Sequence, residues 1–472
     1  MKPWMLLLSV MLTLSLMAEK KPNILVMVSD DHGYADVGFQ GGKDVPTPHL
    51  DALAKSGVRC TSGYISHPFC SPSRAGLLTG RQQQRFGHEC NPVYDPLDEK
   101  EGLPMTERLL PQFMKEGGYR TGWVGKWHLG SAPQFVPWKR GFDECFGFIG
   151  GGHAYKDWTP TGRQYTLALT RNGEPVPGVE NEHLTGVLGR ESAAFITRNK
   201  ENPWFLYLAF NAPHTPHQPT LEREKQFEAV TDVNRRRYLA QVSLLDDAIG
   251  TVMDALAASG QQENTLVFFF SDNGGPTHNA ASNGVLRAGK GSVYEGGVRV
   301  PFLVSWPAKL PAGKSYDQPV SSLDVFATSL GCAGVPMPTD KIYDSVNLLP
   351  FLAGESKESL HKTIFWRLQG KKGGMALREG KWKLVKPTEG NVELYDVVAD
   401  MGETKDVAKA NPEITAQLST TLEERNKQMI NPVFLGSSVK NEDWGPGGIN
   451  QKNNPTPKAK AKKASAPRAE LK

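Results

Sequence analysis

The stretch Asn23-Ile24-Leu25-Val26-Met27-Val28-Ser29-Asp30-Asp31-His32-Gly33 decides how the chain is read, because five consecutive apolar residues run straight into two adjacent carboxylates. A continuous apolar run, as opposed to strict alternation, describes a strand covered on both faces. Trp204 to Phe210, Leu266 to Phe270 and Val298 to Ser305 have the same texture. Helical apolar spacing lies between them at Pro48 to Lys55, Glu107 to Glu116, Arg237 to Ala258 and Leu323 to Cys332. This alternation predicts an α/β chain with a large, mostly parallel sheet sandwiched by helices. Ligands of such sheets bind at the carboxyl ends of the strands, which is where the polar clusters of this sequence fall.

After Leu352-Ala353-Gly354 the texture changes to short alternating segments at Thr363 to Arg367, Gly374 to Arg378, Trp382 to Val385 and Glu393 to Asp396. These predict a smaller antiparallel sheet, with a helix near Pro412 to Lys427. The expected organisation is a catalytic unit over residues 22–355, a C-terminal subdomain over 356–445 and a disordered basic tail over 446–472. Residues 1–18 combine Lys2, an apolar run from Leu6 to Leu16 and a small residue, Ala18, at a plausible cut. That pattern describes a signal peptide too short to span a bilayer, and hence an exported chain, periplasmic or secreted.

The formal net charge of +4 over 472 residues could suggest a polyanion partner. Its location argues otherwise. Subtracting the +1 of Lys2 and the +5 of residues 456–472 leaves −2 for residues 19–455, so the body of the protein is slightly acidic. Nucleic acid is therefore not the expected partner, and no segment after the leader is apolar for long enough to span a membrane. The five cysteines, Cys60, Cys70, Cys90, Cys145 and Cys332, show no C-x-x-C pair and no zinc spacing. Export permits disulfides, yet an odd count leaves one thiol over.

Asp30 and Asp31 repel each other unless a cation or a shared proton intervenes, which favours a hard metal, although the pair alone also fits a turn and helix cap. Ser271-Asp272-Asn273-Gly274-Gly275 ends a second apolar run in the same style and could complete an oxygen cage. Between them, Cys70-Ser71-Pro72-Ser73-Arg74 opens a helical run. Sulfur and guanidinium then share one side of a helix start, where an anion is favoured; a buried cysteine beside an arginine cap fits equally well.

Cys70-Ser71-Pro72-Ser73-Arg74 with the following Leu-Thr-Gly-Arg resembles the signature of the type I, formylglycine-dependent sulfatases of the alkaline phosphatase-like superfamily. Gly125-Lys126-Trp127-His128-Leu129-Gly130, the Asp-Asp after the first strand, the later Ser-Asp-Asn-Gly and Glu393-Leu394-Tyr395-Asp396 resemble that family in its chain order. The resemblance implies a sulfuric ester hydrolase in which a formylglycine-generating enzyme converts Cys70 to 3-oxoalanine, whose hydrated aldehyde attacks sulfur. It implies one calcium ion held by Asp30, Asp31, Asp272 and Asn273 together with the modified Cys70. It further implies that Arg74 and Lys126 bind sulfate oxygens, that His128 takes a proton from the second hydroxyl, and that His214 and Lys290 act on the leaving alcohol. His217 competes with His214 from the same loop, and His32, His49, His67 and His88 are expected to be structural. With Cys70 consumed, the other four cysteines allow three disulfide pairings.

The aromatic, glycine-rich stretch from Gly150 to Trp158 could cover the strand ends and meet sugar rings. Leu286 to Arg299 most resembles exported sulfatases acting on carbohydrates, so a sulfated polysaccharide or an oligosaccharide cut from one is the expected substrate. The alternatives are a metal-dependent phosphodiesterase or phosphonate hydrolase of the same superfamily, and a glycan-binding protein in which Cys70 stays a thiol.

Overall fold

The computed structural model describes residues 20–156, 165–177, 182–370 and 373–436. The expected signal peptide over 1–18 and the expected basic tail over 446–472 lie outside the described residues. Among the described residues sixteen strands occur in chain order. They are β1 (Asn23–Asp30), β2 (Val58–Cys60), β3 (Gly63–Tyr64), β4 (Arg120–Lys126), β5 (Glu144–Phe148), β6 (Thr170–Arg171), β7 (Glu174–Pro175), β8 (Trp204–Pro213), β9 (Thr265–Ser271), β10 (Phe302–Ser305), β11 (Lys314–Tyr316), β12 (Val320–Ser321), β13 (Ile364–Arg367), β14 (Met375–Glu379), β15 (Trp382–Lys386) and β16 (Glu393–Asp396). The α-helices are α1 (Pro48–Lys55), α2 (Cys70–Thr79), α3 (Leu110–Glu116), α4 (Leu184–Arg198), α5 (Leu221–Lys225), α6 (Val233–Ala258), α7 (Glu295–Val298), α8 (Asp324–Ala333), α9 (Leu349–Leu352) and α10 (Pro412–Lys427).

Ten strands form one sheet in the order β11-β2-β10-β9-β1-β8-β4-β5-β6-β7, and β13 to β16 form a four-stranded antiparallel meander. The centre of the large sheet, β9-β1-β8-β4-β5, is parallel throughout. Its β1, β8 and β9 carry unbroken apolar runs because both faces are covered. Ile24, Val26 and Val28 enter one core with Phe205, Tyr207 and Phe268, whereas Leu25 and Met27 enter the other with Leu206, Leu208 and Phe269. Leu245, Ile249 and Val252 of α6 and Leu188 and Phe195 of α4 cover the second face. The first is covered by Leu77 and Leu78 of α2, Phe113 of α3, Phe326 of α8, and Trp366 and Val385 of the small sheet. Each such buried side chain contributes about 1.5–3 kcal/mol relative to exposure. One of the two cores therefore crosses residue 355 without a break.

Four differences from the sequence reading have identifiable physical causes. β10 starts at Phe302, not Val298, because Glu295–Val298 winds into α7 and Pro301 intervenes; it also runs antiparallel to β9. Strand direction is set by the connection, which an apolar run does not encode. α3 begins at Leu110 because Glu107 is drawn out to Arg81 and Lys341, the latter at 3.0 Å. α6 begins a turn earlier than its apolar spacing, at Val233, where the Asp232 side chain accepts the Arg235 N–H at 2.7 Å. Finally, none of the five cysteines is in a disulfide, which corrects the expected pairing of Cys60, Cys90, Cys145 and Cys332. Cys60 in β2 and Cys145 in β5 are separated by β10, β9, β1, β8 and β4, a span of roughly 29 Å at about 4.8 Å per strand, where a disulfide needs Cα atoms within about 7 Å. Among the described residues no helix is long and apolar enough to cross a membrane.

Asp324, the first residue of α8, ties this side of the molecule together. Its carboxylate accepts the Ser321 N–H at 2.8 Å and the Val346 N–H at 3.0 Å, and it meets His361 Nε2 at 2.8 Å. Burial alone would lower the His361 pKa, but the Asp324 charge and hydrogen bond outweigh it and raise the value above 6.5. A raised folded value makes the pair's contribution complete below the unfolded pKa and lost as pH rises through the folded one. His361→Gln should therefore cost about 1 kcal/mol near pH 5.5 and little near pH 8.5, as read by urea unfolding at both pH values.

Candidate active site

The parallel register places four strand ends side by side. Ser29 of β1 pairs with Ser271 of β9, Asp30 of β1 with Pro213 of β8, and Gly125 of β4 with Ala209 of β8. The residues that follow, Asp31, Asp272 and Asn273, His214, and Trp127 and His128, therefore emerge at one edge. Asp31 and His128 both hold left-handed backbone, with φ of 63° and 60°, so the chain turns sharply at the site.

Cys70 is the first residue of α2 and is 1% exposed. Its Sγ lies 3.5 Å from Asp30 Oδ1 and 3.3 Å from Lys290 Nζ. Arg74 sits one turn along the same helix, fully buried. Its Nε donates to Asp272 Oδ2 at 2.9 Å, and its Nη2 lies 2.7 Å from the same oxygen as an ion pair. Lys126, the last residue of β4, reaches Asp30 Oδ2 at 2.5 Å, and Lys290 reaches Asp31 Oδ1 at 2.6 Å. Three buried carboxylates thus face three buried cations. Burial pushes the Cys70 thiol up to about 12, against the pull of Lys126 and Lys290. It raises Asp272 to about 6, helped by Asp30. Asp31 goes the other way, because Lys290 and His214 outweigh its burial. Lys290 is held charged by Asp31 in spite of its own burial. His128 is pushed well below 6.5 by burial and by the Lys126 and Arg74 charges, and is therefore neutral.

The structure brings together all ten residues singled out from the sequence: Asp30, Asp31, Cys70, Arg74, Lys126, His128, His214, Asp272, Asn273 and Lys290. His214 Nε2 faces Asp31 Oδ2 at 3.6 Å, whereas the His217 ring turns edge-on to Tyr238, which separates the two candidates. His32 and His88 are tied to Asp36 O and Ser71 Oγ, as structural residues are. Gly151 packs on His128 so closely that a Cβ there would lie 2.6 Å from Nε2, and Gly152 sits against Tyr165 and His214. The Tyr155 hydroxyl reaches the carbonyls of Asn211 and His214 at 2.8 and 2.9 Å. The glycine-rich stretch therefore does lie over the strand ends, although its Asp157 and Trp158 fall outside the described residues. Sequence reasoning missed Tyr207, whose hydroxyl is 3.4 Å from Arg74 Nη1, and Tyr165, stacked on His214 at 6.3 Å. A tyrosine inside an apolar strand run carries no signal of its partner.

The donors suit a hard cation. Asn273 Oδ1 is buried with no hydrogen-bond partner, and its Nδ2 donates to Asp31 Oδ1 at 2.7 Å, so an unsatisfied amide oxygen is buried on a residue that adjoins the carboxylates. Ligand atoms of Asp30, Asp31, Cys70 and His214 also lie within 4.8 Å of one another.

Comparison with known proteins agrees with this geometry. The family model described as Sulfatase matches residues 22–335. The chain belongs to the sulfatase family. Its reaction is the hydrolysis of sulfate esters, and its C-terminal part, residues 288–429, matches the model described as N-sulphoglucosamine sulphohydrolase, C-terminal. The chain is 38% identical over 363 residues to N-acetylgalactosamine-6-sulfatase of Canis lupus familiaris, a match covering 71% of this chain and 67% of that protein. The solved structure described as Ps i-CgsB in complex with k-i-k-neocarrahexaose superposes with a TM-score of 0.85 at 36% identity, covering 92% of this chain and 98% of that one. A phosphonate monoester hydrolase of Agrobacterium radiobacter shares the fold at 21% identity and a TM-score of 0.64.

Because Gly151 leaves no room for a side chain beside His128, Gly151→Ala should displace that ring. Turnover should fall by roughly 100-fold with little change in melting temperature, as read by steady-state kinetics beside thermal unfolding.

Proposed function

We propose that this sulfatase removes sulfate from a sulfated polysaccharide, or from an oligosaccharide cut from one, with an aldehyde derived from Cys70 as nucleophile and calcium as its metal. The observation that carries the catalytic part is the position of Cys70: enclosed at a helix start, within reach of Lys290, Asp30 and the site's cationic side chains. Cys70 Sγ stands where the oxygen of 3-oxoalanine would be, and that group supplies a hydrated aldehyde whose hydroxyl attacks sulfur. Asp30, Asp31, Asp272 and Asn273 would hold calcium, with residue 70 itself as a further ligand, and the ion favours the ionised hydroxyl. Maturation then needs a formylglycine-generating enzyme, and residues 1–18 suit export to a periplasm or to the outside of the cell.

The chain's own side chains divide the remaining work. Arg74 and Lys126 offer fixed positive charge to the sulfate oxygens in a dry site, where such charge is most effective. His128, neutral and with its buried Nδ1 unpartnered, is suited to accept a proton. His214 Nδ1 lies 2.7 Å from the Thr215 carbonyl, which can only accept, so the neutral ring turns a lone pair at Nε2 toward the site. That leaves Lys290, held charged, as the donor to the leaving alcohol. The carbohydrate part rests on the relatives, an N-acetylgalactosamine-6-sulfatase and a structure in complex with a neocarrahexaose. The competing phosphonate hydrolase shares only the fold.

Mass spectrometry of the peptide spanning residues 60–81 should show an aldehyde at position 70, and Cys70→Ala should lower sulfate release from desalted sulfated glycans by at least about a thousandfold. Thiol alone in active native protein would overturn the nucleophile assignment. Faster turnover of phosphate diesters than of sulfate esters would favour the phosphodiesterase reading.

Calcium should raise the melting temperature of the whole protein in a concentration-dependent way, and chelation should reverse it. Asp30→Asn should abolish this response in a calorimetric titration.

A further inference from the structure

The loop that carries Lys290 is gripped by the small C-terminal sheet. On its far side, Glu295 at the start of α7 is fully buried and receives Lys383 Nζ of β15 at 2.8 Å, Arg299 Nη1 at 3.1 Å and the Tyr64 hydroxyl at 2.7 Å. Lys383 is itself fully buried and also pairs with Glu403 at 3.0 Å. On the near side, Arg287 donates to the Tyr395 hydroxyl of β16 at 2.7 Å and lies over the Tyr294 ring at 3.8 Å. The hydroxyls of Tyr294 and Tyr395 both donate to Glu393 at 2.7 Å.

The segment between these anchors has no slack. The Gly296 N–H donates to Arg287 O at 2.8 Å, and a Cβ on Gly297 would lie 1.9 Å from Ser292 O. The same knot touches the chemistry at two points, since Gly291 N–H donates to Pro68 O at 2.9 Å and Gly274 N–H to Gly297 O at 3.0 Å. The first contact leads to Cys70 and the second to Asn273.

We infer that the C-terminal sheet is a positioning element of the active site, in which Lys383 through Glu295 and Tyr395 through Arg287 hold the 286–299 loop so that Lys290 stays beside Cys70 and Asp31. The inference rests on the reading of Lys290 as the donor to the leaving oxygen. The small sheet is thus part of the machinery that sets leaving-group dependence, in addition to covering one core.

The test uses the whole matured protein with Tyr395→Phe, which removes one hydroxyl and keeps the ring, and Lys383→Met, which removes the buried cation. Hydrogen–deuterium exchange mass spectrometry should show peptides from residues 286–299 exchanging at least about tenfold faster in both variants, with peptides from Asn23–Asp30 unchanged. Turnover of an aryl sulfate series from 4-nitrophenyl to phenyl sulfate should fall most for the poorest leaving group, in parallel with Lys290→Ala. Unchanged exchange over 286–299 in Tyr395→Phe, or equal acceleration across Asn23–Asp30, would overturn the positioning role; Tyr395→Phe decides this even where Lys383→Met does not fold. A Lys290→Ala variant whose loss is the same for every leaving group would instead overturn the donor assignment and leave the exchange result to judge the loop.

Discussion

Everything in this site follows from burying Asp30, Asp31 and Asp272 at adjacent strand ends, each at 0–1% exposure. Isolated carboxylates would pay heavily for desolvation, so the fold surrounds them with Arg74, Lys126 and Lys290 at hydrogen-bonding distance. Removing one partner of such a pair strands its counter-charge, at a typical cost of 3–5 kcal/mol. The same arrangement prepares the chemistry. Oxygen donors and cations interleave beside Cys70, so a metal and a sulfate group can both be accommodated where the cations and carboxylates now neutralise each other.

That constraint reaches beyond the central sheet. Arg74 is held by a helix lying on the first face, Lys126 by a strand, and Lys290 by a glycine-packed loop pinned from the small sheet. The core that backs α2 also takes in Trp366, Ala376 and Val385. The buried ion pairs that join the small sheet to the rest of the chain, Arg367 with Glu89 and Lys383 with Glu295, are of the kind that fixes one docking geometry rather than adding net stability. A loose C-terminal sheet would leave Lys290 misplaced by distances that matter to proton transfer.

Much of this was legible in the sequence, for reasons specific to the residues. The apolar run Ile24 to Val28 could only be a strand covered twice, and α1, α10 and β16 match their expected bounds because Pro48, Pro412 and the alternating Glu393 to Asp396 mark them locally. The ten site residues were legible through motif resemblance, and the parallel register then accounts for their meeting. Less was legible where long-range pairing decides: the antiparallel β10, the unbridged cysteines, Tyr207 beside Arg74, and the histidine that faces Asp31.

The α/β class, the smaller antiparallel sheet, the location of the excess positive charge in the two ends of the chain, and the family can all be read from the linear chain. Those depend on local periodicity, composition and short motifs, which a linear chain displays directly. Folding in three dimensions was needed to show which cation neutralises which carboxylate, that His214 and not His217 faces Asp31, that Gly151 is small because His128 fills its space, and that the C-terminal sheet grips the Lys290 loop. Each of these is a contact between residues far apart in sequence, created by strand order and helix packing, and no local pattern encodes them.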